Sequence, residues 1–158
     1  MEIEHAMIKQ LISQWEKDLQ AMSAVFDKYS DANASTEVAP GRNSVIYLLG
    51  HMIAVNDRMI EALEAGERKH KDLDKAFLED ADSKGGYPSY TSLLDQWKET
   101  NERLSTAIRQ QSPADWLSRH HYVSEEDFSK EPHRNRLAIL ISRLTHLNTH
   151  LGQLKLVG

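Results

Sequence analysis

The chain has 158 residues, 40% of them hydrophobic and 27% charged, with a formal net charge of −5 and a pI of about 5.9. That is the make-up of an ordinary globular protein, expected to be one domain over residues 1–158, and the scattered basic residues give no electrostatic reason for a nucleic-acid partner. There is no cysteine, which excludes disulfides, thiolate metal sites and a cysteine nucleophile and leaves His, Asp and Glu as metal ligands.

The first residues, Met1-Glu2-Ile3-Glu4-His5, lack a basic segment and an apolar signal core. No run approaches the ~20 apolar residues of a membrane span. A cytoplasmic protein with no membrane partner is the expectation.

From Ile3 to Tyr29 apolar residues recur three or four apart, at Met7, Leu11, Trp15, Leu19, Met22, Phe26 and Tyr29, the seam of a long amphipathic helix. Pro40-Gly41 punctuates the polar stretch that follows. Asn43 or Ser44 can cap a second helix with its stripe at Val45, Leu48, Met52, Val55, Met59 and Leu63, fading at Ala65-Gly66, where glycine suits a C-terminal cap. His51 falls on the flank of that stripe. Taken alone, it reads as a boundary histidine bonded to a neighbour.

Residues 67–84 are charge-rich, reading as a solvated face around a short amphipathic piece at Leu73, Ala76, Phe77 and Leu78. Gly85-Gly86-Tyr87-Pro88 breaks the chain, and Ser89 can cap a third helix that buries Leu93, Leu94, Trp97, Leu104 and Ile108. Residues 112–132 lack clear periodicity. Their Trp116, Leu117, Tyr122, Val123 and Phe128 imply packing over the other elements, and so long a structureless connection is more often functional. The adjacent His120 and His121 lie here, and a surface role is favoured over a ligand role. A fourth helix begins near Asn135 with its stripe at Leu137, Leu140, Ile141, Leu144, Leu147 and Leu151. Four long helices with long connections after the second and third predict an all-α four-helix bundle.

The last helix has a second occupied face, made by Ile139, His146, His150 and Gln153. One face would pack inside the bundle and the other would meet a partner subunit. Two histidines four apart stand about 40° apart around the axis, one turn apart along it, so both imidazoles can reach one ion. With His51 they would close a site of three nitrogens that leaves coordination positions open. Gln153, one turn beyond His150, either orients a ligand as its hydrogen-bond partner or is an ordinary exposed or interhelical amide. Leu147 stands where a zinc protease carries its glutamate, so a peptidase of that type is not expected. There is no Gly-rich phosphate loop, no Gly-x-Ser-x-Gly elbow and no paired Glu-x-x-His signature of a di-iron bundle.

Leu48-Leu49-Gly50-His51-Met52, followed some ninety residues later by His146-Leu147-Asn148-Thr149-His150-Leu151-Gly152-Gln153, resembles the DinB-like superfamily of metal-binding four-helix bundles. The resemblance covers nearly the whole chain. It implies a divalent metal held by His51, His146 and His150 in an up-down-down-up bundle that often dimerises. Members include proteins named for DNA-damage induction, metal-dependent hydrolases, and transferases that use low-molecular-weight thiols. Leu151 departs from the larger or more basic residue that the family often carries there, a difference that would alter access to the site.

Three readings follow. The first is a metal-dependent enzyme that transfers a low-molecular-weight thiol to an electrophile, or hydrolyses a small substrate with activated water. The second is a non-catalytic, stress-associated metal-binding bundle, favoured by a fourth protein ligand from His5, His120, His121 or His133. The third is a bundle with no metal. Zinc or nickel is the expected ion, with iron or copper also compatible, and occupancy is expected to fall as pH drops through ~6.5.

Overall fold

The computed structural model describes residues 2–157, whose regular elements are helices with no β-strand among them. The long helices are α1 (Glu2–Phe26), α2 (Val45–Ala62), α3 (Tyr90–Gln110) and α6 (Arg136–Leu154), with the short α4 (Pro113–Trp116) and α5 (Glu125–Lys130) between the last two. The expected four-helix bundle is present, with its long connections after α2 and α3. Each of α1 and α2 packs between α3 and α6.

Local chemistry sets the helix starts. Ser44 Oγ accepts from the Tyr47 N–H, Ser89 Oγ from the Ser92 N–H at 3.1 Å, and Asn135 Oδ1 from the Ala138 N–H at 3.0 Å. Each cap satisfies a donor that the first helical turn leaves unpaired. The end of α2 differs from expectation. Glu64, not a glycine, takes the left-handed conformation at φ 54°, with the Glu64 N–H donating to Glu61 O and the Ala65 N–H to Ile60 O. This double-bonded cap is usually made by glycine. Here the carboxylate has a further use, because it pairs with Arg136 at the start of α6 (2.5 Å) and Arg119 (3.4 Å). The end of α2 is thus tied to the beginning of α6, and the two helices run antiparallel.

The core is built on α2, which is buried on almost every side rather than along one stripe. Tyr90 and Trp97 of α3 and Leu140, Leu147 and Leu151 of α6, the helices packed on it, share one buried cluster with Trp15, Met22 and Phe26 of α1 and Trp116 of α4. The predicted seams need three corrections. Met7 is 63% exposed while Ile8 is buried, Tyr29 lies past the end of α1, and Ile141 is 45% exposed. Near a helix end apolar residues stand on more than one face, so spacing alone does not choose between neighbours.

The charge-rich segment is also more than a solvated face. Asp57 of α2, fully buried, accepts from the backbone N–H groups of Lys69 (2.9 Å) and His70 (3.1 Å) and from Arg68 Nε (3.1 Å). Arg68 also pairs with Asp74. Anchored there, the chain forms a 3₁₀ turn (Lys71–Leu73) and a π-helical turn (Lys75–Glu79) whose Leu73 and Phe77 are buried against α2. Residues 112–132 carry the two short helices instead of a featureless loop. Trp116 and Val123 are buried as expected, whereas Leu117 and Tyr122 are largely exposed.

Candidate metal centre

His51 lies in the first half of α2, and His146 and His150 lie in the second half of α6. The antiparallel contact brings the three imidazoles together. The Nε2 atoms of His51 and His146 are 3.1 Å apart and those of His150 and His146 2.9 Å apart. One nitrogen from each ring lies within 4.8 Å of the other two, and among the described residues no other His, Asp or Glu completes such a group. The second face of α6 therefore meets α2 of the same chain.

Two rings are fixed from behind. His51 Nδ1 lies 2.7 Å from the carbonyl of Phe77, so its N–H donates there and its Nε2 presents a lone pair inward. His150 Nδ1 lies 2.8 Å from Gln153 Oε1 and does the same. The amide oxygen of Gln153 is thus a partner of a proposed ligand, and not a solvent-facing group. Tyr47 stacks against His51, with 6.1 Å between ring centroids and 13° between planes. His146 Nδ1 is buried with no partner.

Burial lowers the pKa of all three imidazoles, that of His146 to about 3, with the neighbouring histidines and Arg143 adding to the shift. For His51 and His150, the hydrogen bonds to Phe77 O and Gln153 Oε1 oppose burial. The neutral imidazole, which is the metal-binding form, is favoured throughout. Three converging lone pairs repel unless a cation or a proton lies between them. The donor set therefore fits a divalent ion: neutral nitrogens, two held in the right tautomer, and a third ring whose outer nitrogen is uncommitted.

A family model described as the DinB superfamily matches residues 14–154. The chain belongs to the DinB superfamily. Its helical bundle and its three clustered histidines together point to metal binding. No curated protein matches the chain.

Within this DinB superfamily chain, His120 and His121 take different roles. His121 is exposed, in line with a surface role, but His120 is buried at 8% exposure and its Nδ1 accepts from the Tyr122 N–H at 3.1 Å. An irregular turn needs such an acceptor for its own backbone. Leu151 is buried in the core, so the departure from the family pattern falls on packing and not on access. No helix among the described residues is long and apolar enough to cross a membrane.

Reading the residues alone missed the Phe77 carbonyl and the reason for Gly50. A Cβ at Gly50 would stand 2.3 Å from Phe77 Cε1, so the absent side chain lets the Phe77 ring lie on α2 beside His51. A glycine immediately before a candidate ligand inside an apolar helix was the available signal. Also missed were Arg58 and Arg143, which with Tyr122 line a cleft of about 380 Å³ opening beside His51 and His146.

Proposed function

We propose that the chain is a divalent-metal-dependent enzyme that transfers a low-molecular-weight thiol to an electrophile or hydrolyses a small substrate, with His51, His146 and His150 as the metal ligands. The observation that carries this reading is the convergence of three Nε2 atoms, two of them locked by Phe77 O and Gln153 Oε1. Zinc or nickel suits three imidazoles with open positions. When bound, such an ion acts as a Lewis acid and favours the deprotonated form of a thiol or water.

The chain's own part is to hold and shield. The Phe77 carbonyl and Gln153 keep two imidazoles oriented, and burial keeps all three neutral. The cleft beside them is of a size for a small molecule. Three protein ligands, with no fourth His or carboxylate in the group among the described residues, favour an enzyme over a structural site, because chemistry needs an open position. A homodimer belongs to the same reading through the family resemblance, and sedimentation equilibrium tests it.

The experiment is a panel of small thiols against small electrophiles, with a parallel hydrolysis panel, on protein loaded with zinc or nickel and on chelator-treated protein. Turnover that appears only in the loaded protein and is lost in His146→Ala supports the enzyme. Metal binding that raises thermal stability with no turnover on either panel supports the non-catalytic bundle.

A further inference from the structure

On both histidine-bearing helices an arginine stands seven residues from a histidine: Arg58 after His51 on α2, and Arg143 before His150 on α6. Seven residues are close to two turns, so each arginine shares its histidine's face. Because the helices are antiparallel, both arginines lie on the same side of the histidines, in the cleft described above. Arg143 is half-buried and donates to Ser142 Oγ at 3.2 Å, while Arg58 lies over the Tyr122 ring, 5.8 Å from its centroid. Among the described residues no carboxylate forms an ion pair with either guanidinium.

Two guanidinium groups on one small cleft repel each other. Burial and the nearby charge of Arg58 both lower the pKa of Arg143. The Glu61 carboxylate, one turn after Arg58, accepts from the Tyr122 hydroxyl (2.5 Å) and faces Lys71 (3.9 Å). Two like charges placed together with no carboxylate paired to either are unfavourable unless an anion joins them. The remaining wall is apolar, from Val55, Met59, Ala62, Leu78 and Ile139. Its α2 and α6 residues lie inside helices, where backbone N–H groups are already bonded, so it lacks the array of amides that cradles a phosphate. A planar guanidinium fork matches a carboxylate.

We propose that this cleft is an organic-anion subsite, in which Arg143 and Arg58 hold a carboxylate of the substrate while Val55, Met59, Leu78 and Ile139 cover its carbon skeleton beside the three histidines. This names a substrate class for the proposed enzyme and rests on that reading for its chemistry. Either the thiol or its acceptor is then a small carboxylate.

The test is calorimetric titration with three probes: hexanoate, its neutral counterpart hexanol, and inorganic phosphate. Each is run on zinc-treated and on chelator-treated protein, since a carboxylate can also bind the ion directly. Hexanoate is expected to bind at least about tenfold more tightly than hexanol or phosphate, and to weaken by about tenfold or more in Arg58→Met/Arg143→Met, in both preparations. Equal affinity for hexanoate and hexanol, preference for phosphate, or unchanged hexanoate binding in the double variant overturns the subsite. Circular dichroism checks the fold of the double variant. Should it fold poorly, Arg58→Met at its exposed position and Arg143→Lys, which keeps the charge without the fork, must each weaken hexanoate binding. Zinc stoichiometry separates the two readings. Arginine-dependent hexanoate binding without zinc uptake sinks the metal reading alone, and zinc uptake with arginine-independent binding sinks the subsite alone.

Discussion

The Nδ1–H of His51 donates to the carbonyl of Phe77 at 2.7 Å, joining a mid-helix imidazole to a π-helical turn twenty-six residues further along the chain. That bond selects the tautomer in which Nε2 faces His146 and His150. The orientation of one proposed ligand thus depends on how residues 67–79 are held against α2, and each point of that support can be tested.

Gly50→Ala should disturb this support directly. The added Cβ would stand 2.3 Å from the ring of Phe77, which is fully buried and has little room to move. We expect a loss of about 1–3 kcal/mol in urea unfolding, as for other overpacked cores. Zinc affinity should fall with it, as the Phe77 carbonyl shifts from His51. Unaltered stability and affinity would mean that the turn is looser than the contact implies.

Gln153→Ala removes the acceptor for His150 Nδ1–H from the last turns of α6. Losing such a partner typically weakens metal binding ~10–100-fold. Gln153→Glu should preserve affinity or raise it, because a carboxylate also accepts that proton and makes the imidazole more basic. Competition with a chromophoric chelator reads both. Equal affinity in all three proteins would reduce Gln153 to a bystander.

Asp57→Ala probes the anchor further from the site. It leaves Arg68 and the N–H groups of Lys69 and His70 without their buried acceptor. The expected cost is ~3–5 kcal/mol, the range for breaking a buried ion pair. Hydrogen exchange should show residues 67–79 opening well before α2. A uniform loss of protection would contradict an anchoring role confined to that segment.

The pH dependence follows from the depressed imidazoles. In the unfolded chain a histidine titrates at ~6.5, whereas burial with neighbouring charge pushes His146 down to about 3 and lowers His51, and burial lowers His150. As pH falls, the unfolded state takes up protons that the folded state refuses. Stability held above ~6.5 is therefore lost progressively toward the folded pKa values. In metal-free protein the urea midpoint should drop between roughly pH 7 and pH 4, and less steeply in His146→Leu. Proton competition for bound metal should begin below the ~6.5 of a free imidazole. A His146→Leu profile parallel to wild type would contradict it.

Much of the bundle was legible because helical spacing reports which side chains share a face. His146, His150 and Gln153 fall together by that rule, and so do Leu140, Leu147 and Leu151. The rule is weakest where apolar residues crowd more than one face, hence the exchange of Met7 for Ile8 and the exposed Ile141. Contacts made by backbone atoms leave no mark in side-chain identity, which hid the Phe77 carbonyl. Arg68 fell in the segment read as a solvated face and Asp57 drew no notice, because their partners are further along the chain or are main-chain N–H groups. Arg58 and Arg143 escaped for a related reason. Only the antiparallel pairing of α2 and α6 places them in one cleft.

The most direct measurement is the metal content of the untagged protein, by elemental mass spectrometry, beside that of His150→Ala with its fold checked by circular dichroism. One divalent transition-metal ion per wild-type chain, lost or sharply reduced in the folded variant, is the predicted result. A wild-type chain that takes up no such ion when offered zinc or nickel, or a variant that keeps its full complement, would contradict the proposed site.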